Sequence, residues 1–546
     1  LWDDVSSVLL HRHVQDPLSY GKLFSEDQHA FVGGEGNFYR PLVSLSFAID
    51  FLFANGGPNP DTADPDEWIA PEIAPFLFHL SNTIWHIAAA LLLFLLLIRL
   101  DAPRVVQAAV PLVYVVHPLH TEAVSYISGR ADPMAAVFMY AGLLCALWRG
   151  PLNILGGFLS LGCFIAALMS KESAMIYPAL LFLCLCFAPD SSNEARPTGK
   201  RLTSRIVPLA GAVAILLGYG LLRMTSLSFG SPGEGPAKSY GARILEVGQA
   251  FALYLKLLLV PTNLHMERTL AGASVWLAAA GFVLLFALIA LTVYAIKNGK
   301  KRLALGLLWF LASWLPISGI FPLNAPMAEH WMYVPMAGLL LALFELPCLI
   351  KPQPALAPGP SIAHPIAAVM ALAGFVIFTP LTVVRNLDWQ SNESLYRATL
   401  KDNPASARIQ FNLAVTYDDL LDNAQGARRH YEKVIALYAQ RKSEGGTENE
   451  RFWDDEIESH LSLGRIYLRQ KNYAKAAEHF STLLRLPYEK KYWDIIGTAA
   501  FGLGQISMTF GDFEQARNYL GLAKEARPAL QPQADAMLQS MGSQPS

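Results

Sequence analysis

Between residues 76 and 384 the chain is built from apolar stretches that water cannot accommodate, at 76–100, 103–117, 131–148, 151–169, 172–188, 205–223, 274–296, 303–321, 330–350 and 362–384. A helix needs about 20 apolar residues to cross the hydrocarbon core of a bilayer, and these stretches reach or approach that length. The reading is about ten membrane spans. An eleventh stretch, 243–261, carries Glu246, Gln249 and Lys256 and reads as an interfacial or re-entrant helix. Charge supports the division. Residues 401–546 hold 37 Asp, Glu, Lys and Arg, about 25%, whereas the first 400 hold 49, about 12%. A soluble domain carries about 25%. The formal net charge of −2 argues against a nucleic-acid partner, whose affinity rests on neutralising phosphates. The five cysteines all lie in apolar runs without ligand spacing and read as small core residues.

Short basic loops stay cytoplasmic. Two stand out, one with Arg196, Lys200, Arg201 and Arg205, the other with Lys297, Lys300, Lys301 and Arg302. With 243–261 interfacial, both share one side with Arg99, Arg104, Arg149 and Lys351. Residues 1–75, 118–130, 170–173, 224–273, 322–329 and everything after 384 then lie on the opposite, non-cytoplasmic side. The chain opens on Leu1-Trp2-Asp3-Asp4 with no apolar helix to carry that loop across, so a preceding span is expected.

After residue 384 amphipathic helices take over. Leu463, Gly464, Tyr467, Ala476 and Phe480 recur as Leu503, Gly504, Ser507, Ala516 and Leu520, with an earlier copy at Leu413, Ala414, Tyr417, Ala427 and Tyr431. Small residues let paired helices approach and bulky ones fill between them, the pattern of tetratricopeptide repeats stretched by insertions such as 441–450. Three units stack into a short solenoid with a concave face. The expected architecture is therefore all-α: a first external loop at 1–75 with an amphipathic segment at 42–54, a polytopic helix bundle at 76–384 and a repeat domain at 385–546.

The chemistry is expected where polar groups interrupt apolar helices on the non-cytoplasmic side, because ionisable groups there are costly. Asp3 and Asp4 can act as a general base or hold a divalent cation, or simply cap a helix. The run His117-Pro118-Leu119-His120-Thr121-Glu122 leads to Ser128-Gly129-Arg130-Ala131-Asp132, which offers acceptors for a cation or sugar hydroxyls and a guanidinium for phosphate. Lys171-Glu172 reads as a phosphate-directed lysine or a local ion pair, and Glu329-His330 opens another span. His79, Asn82 and His86 line one helix face, most simply as core hydrogen-bonding groups. Arg40-Pro41 precedes the amphipathic segment.

Taken in order, Trp2-Asp3-Asp4, Tyr39-Arg40-Pro41-Leu42, His79-Leu80-Ser81-Asn82 with His86, His117 to Asp132, Lys171-Glu172, Tyr254 to Leu264, Ala328-Glu329, and Arg385-Asn386 with Trp389 resemble the motifs of the transmembrane and tetratricopeptide-repeat-containing protein O-mannosyltransferases. The resemblance implies a GT-C glycosyltransferase fold and a polyprenyl- or dolichyl-phosphate sugar as donor. It also implies a protein or peptide acceptor, presented by the repeat groove, whose Ser or Thr hydroxyl is deprotonated by the acidic motif, here Asp3 or Asp4. Arg130, Lys171 and Arg40 would meet the donor phosphate. His117, His120, Glu122, Asp132, Glu172, Glu329 and His330 would orient sugar or acceptor. His330 stands where the family commonly has arginine, and Met266-Glu267 where an acidic-aromatic pair is usual. The short repeat array points to a bacterial inner membrane, with the endoplasmic reticulum membrane as the alternative. A non-enzymatic repeat scaffold in the membrane is the rival function.

Overall fold

The computed structural model describes residues 4–31, 37–55, 74–148, 153–188, 198–227, 240–270, 274–321, 323, 325–349, 363–444, 453–487 and 489–542. Among the described residues there are helices and no strands. The chain forms two compact units, Leu1–Ser391 and Asn392–Ser546.

The first unit follows the apolar pattern. Its helices are α1 (Pro41–Asn55), α2 (Phe76–Arg99), α3 (Arg104–Val116), α4 (Ala131–Ala146), α5 (Asn153–Leu168) and α6 (Tyr177–Phe187). They continue as α7 (Thr198–Met224), α8 (Tyr240–Leu259), α9 (Val275–Lys297), α10 (Lys301–Trp314), α11 (Tyr333–Glu345) and α12 (Ala363–Asp388). Four of them contain segments long and apolar enough to cross a membrane alone: Phe76–Arg99, Ile206–Met224, Val275–Lys297 and His364–Asp388. Large apolar side chains such as Val283 and Phe286 on α9 stay exposed, as a lipid-facing surface requires. This unit is a membrane domain.

Two of the remaining apolar stretches, 303–321 and 330–350, make shorter α-helices than their length suggests, each ending in a 3₁₀ turn that contains a proline. The stretch 303–321 stops being α-helical at Trp314 and tightens into a 3₁₀ turn, Leu315–Ile317, around Pro316. The stretch 330–350 is a 3₁₀ turn (Glu329–Met332), then α11, then a second 3₁₀ turn (Leu346–Leu349). Its combined rise is roughly 30 Å, still enough for the hydrocarbon core. Pro41, Pro133, Pro178 and Pro335 all lie in the first turn of a helix, where a missing N–H costs nothing. Each follows one of the polar motifs. The motifs therefore occupy the non-α turns that lead into proline-opened helices.

Helices approach most closely through glycine. A Cβ on Gly281 of α9 would lie 1.8 Å from the carbonyl oxygen of Gly248 on α8. Gly306 of α10 and Gly338 of α11 meet the same way, each close to the other's backbone carbonyl. Such contacts replace the hydrophobic drive that lipid removes. Gly281→Val should force α8 and α9 apart and destabilise the unit by about 1–3 kcal/mol. A lowered midpoint in thermal unfolding of the detergent-purified protein checks this; an unchanged midpoint counts against close α8–α9 packing.

In the second unit α13 (Asn392–Asp402) precedes three antiparallel pairs: α14 (Ala407–Val415) with α15 (Ala424–Glu444), α16 (Asp454–Arg469) with α17 (Tyr473–Leu483), and α18 (Trp493–Thr509) with α19 (Phe513–Ala526). The closing helix is α20 (Gln531–Gly542). The repeat positions do what their sizes require. Phe480 is buried and packs on both Gly464 and Gly502, while Leu520 packs on Gly504. Residues 441–444 of the expected insertion extend α15, and 445–450 lie outside the described residues.

Candidate active site

The N-terminal loop is held to the membrane helices by a small core. Val8, Val14 and Leu23 pack with Val43, Phe47 and Phe51 of α1, Phe78 of α2, and Ala131 and Met134 of α4. Asp4, only 5% exposed, enters at the edge of this core. Its Oδ1 accepts two hydrogen bonds from Ser128, one from the backbone N–H at 2.8 Å and one from Oγ at 2.9 Å. Burial raises its pKa, and the two Ser128 bonds pull the other way. Asp3 lies outside the described residues.

Arg130 is placed where a phosphate ligand would not be. It is fully buried, with its guanidinium over Phe47 at 4.6 Å. Nε donates to Asn82 Oδ1 at 2.6 Å, one terminal nitrogen to Ser46 Oγ at 3.1 Å, and the other to the Phe78 carbonyl at 3.0 Å. That last nitrogen also pairs with Asp50 of α1. The expected phosphate group is a tie between α1, α2 and the loop that leads into α4.

Two other expected cations lie together. Lys171 Nζ donates to Asp132 Oδ2 at 2.6 Å, and Arg40 donates to Glu172 Oε2 through Nε at 3.1 Å and a terminal nitrogen at 2.9 Å. Lys171 is buried, which pushes its pKa down, while Asp132 pulls it up. The backbone N–H of Leu42 donates to the Met169 carbonyl and fixes the two segments side by side. Opposite charges from three separate motifs alternate here, so each cation is held by one carboxylate that an incoming anion can compete with.

A third group forms around two glutamates. Glu122 accepts from the His330 N–H at 3.0 Å, and His330 Nδ1 lies 2.9 Å from its other oxygen. Burial opposes its ionisation, yet His330 holds its pKa low. Glu329, 1% exposed, accepts from the His265 N–H at 2.7 Å, from Arg268 at 3.0 Å and from Arg385 at 3.4 Å. Its pKa is raised by burial against the pull of Arg385 and Arg268. Sequence reasoning did not single out His265, Arg268 or Arg385 as site residues. Arg385 stands in the sequence only as part of a motif, and the pairing joins segments distant in the chain.

The two loop histidines serve the backbone. His117 Nε2 is 3.0 Å from the Leu258 carbonyl, and its Nδ1 accepts from the Leu119 N–H at 3.2 Å. His120 Nδ1 contacts the Tyr114 carbonyl at 2.8 Å, between the rings of Tyr114 and Tyr333. Burial keeps His120 well below its ordinary pKa and hence neutral. Among the described residues no group of three or more His, Cys, Asp or Glu side chains is disposed to hold a metal ion. An apolar cavity of about 540 Å³ lies among α8, α9 and the end of α10, lined by Val247, Phe282, Leu285, Leu311 and Trp314 with others of their kind.

These features define a polytopic helical membrane protein with buried acid and base groups in the loops between its helices, followed in the chain by a tetratricopeptide-repeat unit. A tetratricopeptide repeat model matches residues 457–488. The family resemblance read from the motifs also holds over most of the chain. It is 23% identical over 514 residues, 88% of its length, to the Mus musculus protein O-mannosyl-transferase TMTC3, of which it covers 51%. It is 24% identical over 460 residues to the Caenorhabditis elegans protein O-mannosyl-transferase F38B6.6, covering 80% of the chain and 59% of that protein. The human protein O-mannosyl-transferase TMTC4 is 26% identical over 494 residues, with 79% and 62% covered. The chain thus spans about half to three-fifths of the length of these curated relatives. No solved structure matches.

Proposed function

We propose that the protein transfers a hexose, mannose by its relatives' names, from a polyprenyl- or dolichyl-phosphate donor to a Ser or Thr hydroxyl of a protein on the non-cytoplasmic face of the membrane. The observation that carries this reading is the seating of Asp4 on Ser128 within the His117–Asp132 loop, in a chain whose relatives are named protein O-mannosyl-transferases. Asp4 takes the acceptor proton as the hydroxyl oxygen attacks the anomeric carbon from the face opposite the leaving group. The bond from that carbon to the phosphate oxygen breaks, its electron pair stays on the phosphate, and configuration inverts. Lys171 and Arg40 offset the charge that develops on the phosphate. Glu122, paired with His330, accepts from a sugar hydroxyl. The apolar cavity beside α8 and α9 suits the donor's isoprenoid tail, and the concave side of the repeats suits an extended acceptor peptide.

The test incubates the purified protein with polyprenyl-phosphate mannose and a Ser/Thr-rich peptide, following both released polyprenyl phosphate and hexose on the peptide by mass spectrometry. Equimolar appearance of the two supports transfer. Release without peptide modification removes the protein acceptor. Neither product from folded protein favours the scaffold.

A further inference from the structure

We propose that Ser128 and Asn82 are positioning residues for Asp4, Asn82 fixing the loop so that Ser128 presents both of its donors to one carboxylate oxygen. The proposal rests on the reading of Asp4 as the base and adds the means by which that base is held.

Asn82 is completely buried on α2, well inside a helix otherwise rich in Ala and Leu. A buried amide is retained there only if its hydrogen bonds are met. They are met by one loop. Its Nδ2 donates to the carbonyls of Val124, Tyr126 and Ile127 at 3.1, 3.0 and 3.2 Å, two hydrogens shared among three acceptors. Its Oδ1 accepts from Arg130 Nε at 2.6 Å. The amide orientation is unambiguous, because only the nitrogen can face three carbonyls and only the oxygen can face a guanidinium. Ser128 lies between the segments that Asn82 grips on either side.

Gly129 tightens the arrangement. A Cβ there would be 2.7 Å from the Glu122 carbonyl oxygen, so the returning loop presses directly on the 122–123 backbone. With the chain fixed at 124–127 and at 130, the Ser128 N–H and Oγ–H have one direction left. Both reach Asp4 Oδ1. The linkage runs from a membrane helix through a loop carbonyl cluster to the carboxylate, and Ser46 and Asp50 extend it to α1 through Arg130. His79 on α2 and Arg130 are titratable side chains that interact electrostatically with Asp4.

The function of two donors on one oxygen is to orient the carboxylate and to moderate its basicity. Each bond stabilises the charged form, against the burial that disfavours it. Losing the Oγ donor makes Asp4 protonate at higher pH. Ser128→Ala should therefore move the acid limb of the turnover profile upward, with turnover on that limb falling severalfold and KM for the donor little changed. Ser128→Thr keeps both donors and should restore the wild-type profile. A residue that served only packing would shift neither limb.

A second measurement does not depend on turnover. Dicyclohexylcarbodiimide modifies protonated carboxyls in apolar surroundings, and the modified Asp4 peptide can be quantified by mass spectrometry across pH. The midpoint of modification should lie higher in Ser128→Ala than in wild type or Ser128→Thr. Asn82→Ala should raise and broaden it further if the variant folds. Coincident midpoints in folded wild type and Ser128→Ala overturn the proposal whether or not transfer occurs. A shifted midpoint in a protein without transferase activity leaves the positioning intact and removes the proposed function instead.

Discussion

Asp4→Asn is expected to lower turnover by about 10²- to 10⁴-fold, the range a positioned general base contributes, with the chain still folded. Asparagine is nearly isosteric, and its Oδ1 can still accept both Ser128 donors, which approach at 2.8 and 2.9 Å. It cannot take a proton from a hydroxyl. Because burial already disfavours the charged form of Asp4, removing the charge should leave the thermal midpoint unchanged or slightly higher. The pH dependence of the wild type follows from the same physics. A base works only when deprotonated, so turnover should rise with pH through a midpoint above the ordinary carboxylate range, and that limb should vanish in the variant. The measurement is release of polyprenyl phosphate from pH 4 to 8, paired with thermal unfolding. If Asp4→Asn retains full turnover while Asp3→Asn loses it, the base is Asp3. Retention in both single variants and in the double removes the acidic motif from the chemistry altogether.

The apolar pattern was enough to place the four longest apolar helices of the first unit, because about twenty residues nearly without charge have few alternatives. It could not place their ends. Pro316 and the turn before Pro335 convert predicted α-helix into 3₁₀ turns, a local effect that a hydropathy reading averages away. The polar motifs were legible as exceptions to the pattern, and Arg40, Asp132, Lys171 and Glu172 do gather at one place. What any motif faces was not legible. Glu329 looks the same in sequence whether it meets a sugar or the guanidinium groups of Arg268 and Arg385, since those residues come from segments far before and after it. Asn82 read as one member of a polar helix face, yet three loop carbonyls depend on it. The repeats were the opposite case. Phe480 and the glycines that receive it encode their partners through size alone, and size is visible in sequence.

Arg130 is where the sequence reading and the fold differ most in consequence. A phosphate-binding arginine can be removed at the expense of affinity, whereas this one should be indispensable to the fold. Arg130→Met leaves Asp50, with its side chain only 12% exposed, without its charged partner, and removes the bonds that Arg130 donates to Asn82 Oδ1 and the Phe78 carbonyl. Breaking a buried pair from one side costs about 3–5 kcal/mol. The variant should therefore unfold at a markedly lower temperature, and its Asp4 loop should become accessible to protease before the rest of the unit. The double variant Asp50→Asn with Arg130→Met removes both charges and should recover a large part of the loss, because an uncompensated carboxylate is the main penalty. Arg130→Lys keeps the charge but has one nitrogen where the native side chain uses three, so it should sit between wild type and Arg130→Met. A phosphate ligand would behave differently: Arg130→Met would keep its stability and lose donor affinity, and Asp50→Asn would not rescue it. Thermal unfolding of the four proteins, with donor affinity measured on those that fold, decides between the two. The buried tie predicts that stability changes first and that affinity falls only as the Asp4 loop loosens.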